Sequence, residues 1–265
     1  MRRARGLEYE VRGHGEAVLF IHGSHFAGAF LPLMDQPALA DHFRLIRYHR
    51  RGFAGSEPLP GPPGVGHHVQ DALGLIEQLG VDRLHVVAHS AGGLIATQLA
   101  LDEPSLVHSL VLLEPALMTR DEASSFATLM APLFELHANG KSEMAADLFL
   151  SGGGETDWRA EVRVTVPGGE DQAMQDAAFF FESDLPMVID RTFDPEDGER
   201  LAQPVLHVRG GASPLDYTTA IRMLAPQAES VVLSDVGHGM QMVVPEKVAG
   251  MTADFLDRHP FAGGG

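Results

Sequence analysis

The sequence predicts an α/β fold with a largely parallel sheet. Short apolar runs recur along the chain, and segments with apolar residues at helical spacing, such as 69–79 and 91–101, separate them. Strands that are apolar throughout are buried on both faces, and helical crossovers are the connections that parallel strands require. The predicted strands are residues 17–21, 43–48, 84–88, 110–113, 204–208 and 230–233, and a closing helix is predicted over 245–258.

Between the fourth and fifth of these strands the rhythm changes. Residues 117–200 contain helical pieces, such as 123–137 and 142–150, and glycine pairs but no strand pattern. We therefore expect two parts of one core, 1–116 and 201–265, with a helical cap inserted at 117–200.

Composition excludes several classes of function. The 265 residues carry 19 Lys plus Arg against 36 Asp plus Glu, a net charge of −17, which disfavours nucleic acids and anionic membranes as partners. There is no cysteine, so disulfides, thiolate nucleophiles and cysteine-based zinc sites are impossible. The basic start precedes no apolar run, and no stretch of eighteen apolar residues occurs, so we expect a cytoplasmic protein. The oligomeric state stays open.

The strongest chemical signal is the segment 86–93, Val-Val-Ala-His-Ser-Ala-Gly-Gly. A strand runs directly into Ser90 and a helix begins after it, with the small residues Ala88 and Gly92 on either side. Such a turn lifts a serine above the carboxyl edge of a sheet, where it can act as a nucleophile. The helix start would also aim the Ala91 amide at a developing oxyanion. The alternative is an ordinary turn in which Ser90 caps the helix.

Three further segments with potential catalytic roles follow other predicted strands. Phe-Ile-His-Gly-Ser ends the first predicted strand at Ser24, the loop 50–56 follows the second strand, and Val-Gly-His-Gly places His238 between the last strand and the last helix. With the serine segment, these motifs resemble the α/β-hydrolase superfamily over nearly the whole chain outside the insertion. The resemblance implies an eight-stranded, mostly parallel sheet with flanking helices and a helical cap. It also implies Ser90 as nucleophile, His238 as general base, and the amides of Ser24 and Ala91 as the oxyanion hole.

The third member of the triad departs from the usual pattern. Where the family most often has an aspartate, the loop after the strand 204–208 has Ser213, and a neutral hydroxyl cannot stabilise an imidazolium. Glu114, at the end of the strand that follows the nucleophile helix, is the better candidate. Asp216 is the alternative, and no functional acid is a third possibility. The position of Glu114 resembles that of the acid in zearalenone-type lactonases.

The insertion is expected to supply a mainly apolar substrate pocket. We predict that its lining includes the cap residues Met130, Trp158, Phe180 and Phe181. The resemblance then implies a cofactor-free serine esterase or lactonase, with a macrocyclic resorcylic lactone such as zearalenone as one possible substrate. Carbon–carbon bond hydrolysis of diketone-like substrates is an alternative, and a ligand-binding protein that has lost the chemistry is another.

Histidines are numerous, 14 in all, but no metal-ligand motif is present, so no metal is predicted. His89 precedes the proposed nucleophile, and its side chain is expected to point away from the catalytic face, which favours a packing role over a catalytic one.

Overall fold

The chain folds around one sheet. A computed structural model describes residues 1–58, 60–152, 157–213 and 218–261, and in this part of the chain eight strands pair in the order β1-β2-β4-β3-β5-β6-β7-β8. The strands are β1 (Arg2–Ala4), β2 (Leu7–Arg12), β3 (Ala17–Ile21), β4 (Arg44–Tyr48), β5 (Leu84–His89), β6 (Val107–Leu113), β7 (Val205–Gly210) and β8 (Glu229–Leu233). The predicted fold class is confirmed.

The sheet is parallel from β4 to β8 and antiparallel at one edge. β1 pairs with β2 and β2 with β4 in antiparallel orientation, whereas β4, β3, β5, β6, β7 and β8 run parallel. The two edge strands were not predicted individually. All parallel strands end at the same edge, and the loops that bear Ser24, Ser90, Glu114 and His238 follow four of them, β3, β5, β6 and β8.

Helices cover both faces. They are α1 (Leu31–Met34), α2 (Pro37–Ala40), α3 (Val65–Gln78), α4 (Ala91–Asp102), α5 (Arg120–Ala138), α6 (Ser142–Leu150), α7 (Trp158–Thr165), α8 (Gly169–Gln175), α9 (Ala177–Phe179), α10 (Leu185–Asp190), α11 (Pro195–Arg200), α12 (Thr218–Leu224), α13 (Met240–Val243) and α14 (Pro245–Arg258), with a π-helical turn at Phe180–Asp184. Within the described residues, no helix combines the length and apolar character needed to cross a membrane.

Alternation along β3 shows how the core is divided. Leu19 and Ile21 pack with α3 and α4 on one face, whereas Val18 and Phe20 pack with α1 and α14 on the other. All four side chains are fully buried, as expected for a strand covered on both sides. At about 25 cal/mol per Å² of buried apolar surface, this double layer is the main source of stability.

The region between β6 and β7 consists of helices α5 to α11 and the π-helical turn in its described part. α5 begins with a capping box, in which the Thr119 hydroxyl accepts the Glu122 N–H and the Glu122 carboxylate accepts the Thr119 N–H. The division of the chain into a core and a separate cap stays a prediction.

Candidate active site

Ser90 lies at the junction of β5 and α4 in a strained conformation. Its φ of 53° and ψ of −124° are unusual for a residue with a side chain and cost roughly 1–3 kcal/mol. Backbone hydrogen bonds hold the turn: Ser90 N donates to Leu113 O at 3.1 Å, and Ser90 O accepts from Gly93 N at 2.8 Å and Ala116 N at 2.9 Å. The strain is retained at the position where the sequence predicts a nucleophile.

Close approach of backbone to this turn explains its glycines. A Cβ on Gly92 would lie 2.1 Å from Ile21 O, and a Cβ on Gly93 would lie 2.4 Å from Pro115 Cβ. On the facing loop, a Cβ on Gly23 would come within 2.9 Å of Ser90 Cβ. The loop after β3 and the serine turn are therefore in van der Waals proximity.

Glu114 ends β6 and contacts His238 directly. Its carboxylate is 2% exposed; Oε1 accepts the Gly210 N–H at 2.7 Å, and Oε2 lies 2.6 Å from His238 Nδ1. A carboxylate only accepts, so Nδ1 carries the proton and Nε2 is the basic nitrogen. Glu114 has a positive φ of 40°, and its N–H donates to Val208 O, which ties the turn to β7.

His238 lies in the loop between β8 and α13, with its side chain 34% exposed. In the described part of the chain, no hydrogen bond joins His238 to Ser90 Oγ. Contacts of this kind often tighten only when substrate binds. The structure thus brings Glu114 and His238 together, while the roles of all three triad residues stay predictions.

The amides of Ser24 and Ala91 are available as donors. Ala91 is the first residue of α4, so its N–H has no acceptor within the helix. Neither amide donates to an acceptor anywhere among the described residues. Ser24 follows Gly23 and Ala91 follows Ser90, and these two segments are in contact. Both amides can therefore belong to one oxyanion hole.

His89 contacts the proposed base. Its contacts go beyond simple packing, because its ring lies 4.5 Å from the ring of His238 and its Nε2 is 3.0 Å from His238 O. Burial lowers the pKa of His89 well below the ordinary histidine value, so the ring is neutral and Nε2 donates to the carbonyl. The loop after β8 therefore contacts the last residue of β5 as well as Glu114 at the end of β6.

The loop after β7 is the place where the family most often has the acid, and here it contains Ser213. Ser213 N donates to Gly210 O at 3.4 Å, and its side chain is buried. Asp216, the alternative acid, lies outside the described residues.

The four predicted pocket residues are buried in two separate clusters. Trp158 is 5% exposed, packs 5.7 Å from the Phe26 ring and donates from Nε1 to Asp147 at 2.9 Å. Phe180, Phe181 and Met130 belong instead to the main core cluster. Their roles in substrate binding stay predictions.

Sequence reasoning missed a buried ion pair beside the site. Arg50, after β4, and Asp184, in the π-helical turn, are both fully buried and lie 2.7 Å apart. The segment 50–56 was recognised as a tight loop, but no local pattern marks Asp184 as its partner. Metal ligands are not evident: no group of three candidate side chains is placed to hold an ion within the described residues.

Comparison with known proteins identifies the class. A family model described as the alpha/beta hydrolase fold matches residues 16–157, more than half of the chain. The protein therefore belongs to the alpha/beta hydrolase family.

Individual relatives are more distant. RutD of Agrobacterium fabrum, named for carbamate hydrolysis, is 33% identical over 114 residues, which cover 40% of this chain and 42% of that protein. The chain thus spans about two fifths of the length of the curated relatives it matches. Among solved structures, an enol-lactonase from Burkholderia xenovorans superposes with a TM-score of 0.79 at 21% identity, covering 95% of this chain and 96% of that chain. A thermophilic esterase from Thermogutta terrifontis gives 0.78 at 20% identity, covering 96% and 94%.

Proposed function

We propose that the protein is a serine hydrolase that cleaves a carboxylic ester or lactone through an acyl-enzyme. The observation that carries this proposal is the Glu114 carboxylate, buried and hydrogen-bonded at once to Gly210 N and to His238 Nδ1 at 2.6 Å. A buried charge of this kind is costly unless paired, and the pairing leaves His238 Nε2 basic.

The reaction uses these groups in two steps. Ser90 Oγ attacks the carbonyl carbon while His238 Nε2 takes its proton, and the amides of Ser24 and Ala91 stabilise the oxyanion. As the carbon–oxygen bond breaks, the imidazolium returns that proton to the leaving alkoxide. A water molecule, deprotonated by His238, then attacks the acyl carbon; the bond to Ser90 Oγ breaks, the imidazolium returns the proton to Ser90 Oγ, and the acid product leaves. Glu114 remains ionised throughout and stabilises the imidazolium.

The substrate is expected to be mainly apolar. Aromatic and methionine side chains are abundant in the helices between β6 and β7, next to the carboxyl edge of the sheet. A macrocyclic lactone such as zearalenone fits the resemblance to lactonases with a glutamate at the same strand end. The enol-lactonase and the esterase support the fold alone, since they are 20–21% identical to this chain.

A substrate panel tests the proposal. Wild type, Ser90→Ala and the exposed control Ser105→Ala are assayed on short and long p-nitrophenyl esters, a macrocyclic lactone and a vinylogous diketone, and are treated with a fluorophosphonate. We expect ester or lactone turnover and one covalent adduct in wild type and Ser105→Ala, and neither in Ser90→Ala.

Other outcomes separate the alternatives. Turnover of the diketone alone would indicate carbon–carbon hydrolysis, in which the leaving group is protonated on carbon. Tight binding of an apolar ligand by a folded protein that forms no adduct would indicate a binding protein.

A further inference from the structure

The ion pair between Arg50 and Asp184 lies at the boundary between the core and the helices that follow β6. Arg50 Nη1 lies 2.7 Å from Asp184 Oδ1, and Nη2 lies 3.0 Å from Oδ2, so the pair is bidentate. Burial alone would raise the pKa of Asp184, but the charge and hydrogen bonds of Arg50, with the Ser24 hydroxyl, hold that pKa below the ordinary aspartate value. The carboxylate is therefore ionised, and the two charges compensate each other.

Arg50 also donates hydrogen bonds to the loop that leads from β3 to Ser24. Its Nε donates to His22 O at 3.0 Å, its Nη2 to Gly23 O at 3.1 Å, and its backbone N–H to His22 Nε2 at 2.8 Å. His22 Nε2 is thus an acceptor, so its Nδ1 carries the proton and donates to Gly23 O at 2.6 Å. Two donors converge on one carbonyl oxygen.

That carbonyl shares a peptide unit with the Ser24 amide. A trans peptide is planar, and its N–H points opposite to its C=O. No cis peptide bond occurs among the described residues, so fixing Gly23 O toward Arg50 fixes Ser24 N–H away from it. The contact between Gly23 and Ser90 places this peptide beside the proposed nucleophile.

Asp184 contacts the side chain of Ser24, whereas Arg50 contacts the peptide that precedes it. The Ser24 hydroxyl donates a short hydrogen bond to Asp184 Oδ2, the oxygen that also accepts from Arg50 Nη2. A single carboxylate thus orients both the arginine that holds the Gly23–Ser24 peptide and the side chain of Ser24. The rings of His25 and Phe26 also pack against the helices after β6, but Asp184 is the residue of those helices that is hydrogen-bonded to Ser24.

We infer that Arg50 and Asp184 are positioning residues, which aim the Ser24 N–H at the substrate oxyanion and make that donor depend on the segment 180–184. This inference rests on the proposed function, since it needs an oxyanion to form. Neither residue needs to touch the substrate, because both act through the Gly23–Ser24 peptide. A donor used only in the transition state affects kcat more than KM.

The test compares Asp184→Asn with Asp190→Asn, an exposed aspartate on the next helix, and Ser24→Ala with Ser24→Thr. Active sites are counted with a fluorophosphonate at completion, and kcat, KM and the Ki of a trifluoromethyl ketone, which forms a bound oxyanion, are measured per active site. We expect Asp184→Asn to lower kcat roughly 10- to 100-fold and to raise Ki in parallel, with KM within about threefold. Ser24→Ala should show a smaller loss of the same kind, and Ser24→Thr should restore it.

A purely structural role would reduce the number of titrated sites or the melting temperature, yet leave kcat per site and Ki unchanged. If folded Asp184→Asn has the wild-type kcat per site and the wild-type Ki, the inference is overturned. If that variant does not fold, wild-type values in Ser24→Ala would overturn it instead. A wild-type protein that neither reacts with the fluorophosphonate nor turns over any ester would overturn the proposed function, and the inference with it.

Discussion

Replacement of Glu114 by glutamine tests the proposed acid most sharply, because the structure limits what the new amide can do. Glu114 has two acceptor oxygens, and each faces a donor: Gly210 N–H at 2.7 Å and His238 Nδ1–H at 2.6 Å. Glutamine has one acceptor and one donor end. It can therefore accept from only one of the two donors, Gly210 N–H or His238 Nδ1–H.

Either orientation has a definite cost. If the amide oxygen faces Gly210, the NH2 group faces His238 and requires Nδ1 to accept, so Nε2 carries the proton and cannot take one from Ser90. A wrong tautomer of this kind lowers kcat by about 10⁴-fold in other triads, or about 5 kcal/mol of transition-state stabilisation. If the oxygen faces His238, the buried Gly210 N–H meets another donor, which costs about 1–3 kcal/mol of stability and still removes the charge that stabilises the imidazolium.

We therefore expect Glu114→Gln to lower kcat/KM on the best ester by 10³- to 10⁴-fold, with a small loss of melting temperature. Steady-state kinetics corrected for titrated active sites gives the first value, and thermal unfolding gives the second. Glu103→Gln, an exposed glutamate after α4, is the matched control and should equal wild type. Retention of a tenth of wild-type activity by Glu114→Gln, or a larger loss in Asp216→Asn, would refute the assignment of the acid.

Three stability predictions follow from buried contacts and charges. Gly92→Ala should cost at least about 2 kcal/mol, because its Cβ would lie 2.1 Å from Ile21 O, whereas Gly250→Ala, with open space in α14, should gain about 0.5–1 kcal/mol in urea unfolding. Burial lowers the pKa of His68 to about 3, so the unfolded chain binds a proton near pH 6.5 that the folded chain refuses. Stability should then fall as pH drops from about 6.5 towards 3, and His68→Phe should reduce that slope by about 1.4 kcal/mol per pH unit; an unchanged slope would contradict it. Burial raises the pKa of Asp176 from 3.8 to about 6, so stability falls as pH rises between these two values and the full loss is present above about 6. Asp176→Asn should raise stability by about 1–2 kcal/mol at pH 7.5, where one lost hydrogen bond offsets part of the gain, and not at pH 4.

The parallel part of the sheet could be predicted because its strands are apolar along their whole length. The two edge strands were missed for the opposite reason. β1 has three residues, and β2 alternates Leu7, Tyr9 and Val11 with charged residues, which is the pattern of a strand with one covered face. A search for period-two alternation, rather than continuous apolar runs, would have found β2.

The candidate site could be predicted as far as it follows strand ends. Ser90 and Glu114 follow the neighbouring strands β5 and β6, whose carboxyl ends meet at one edge, so their proximity follows from chain order and parallel pairing. His238 follows β8, which lies two strands from β6 in the same parallel order, so its loop begins at that edge too. The contact of His89 with His238 was missed because alternation along a strand gives the direction of a side chain and does not show which loop contacts it.

Arg50 and Asp184 show where sequence reasoning ends. Separated by 134 positions, they meet because the helices after β6 fold back over the loop that follows β4, and neither position carries a local pattern that requires the other. A buried arginine without its carboxylate would be strongly destabilising, yet two well-packed apolar residues could fill the same space at little or no cost. Stability alone therefore does not account for the pair. The loop after β3 does, because Arg50 donates to the Gly23 carbonyl while its partner Asp184 accepts from the Ser24 hydroxyl. The same contacts make the proposed oxyanion donor sensitive to a segment that lies far away in the sequence, so replacement of Asp184 should change kcat even where the predicted pocket residues Phe180 and Phe181 are unchanged.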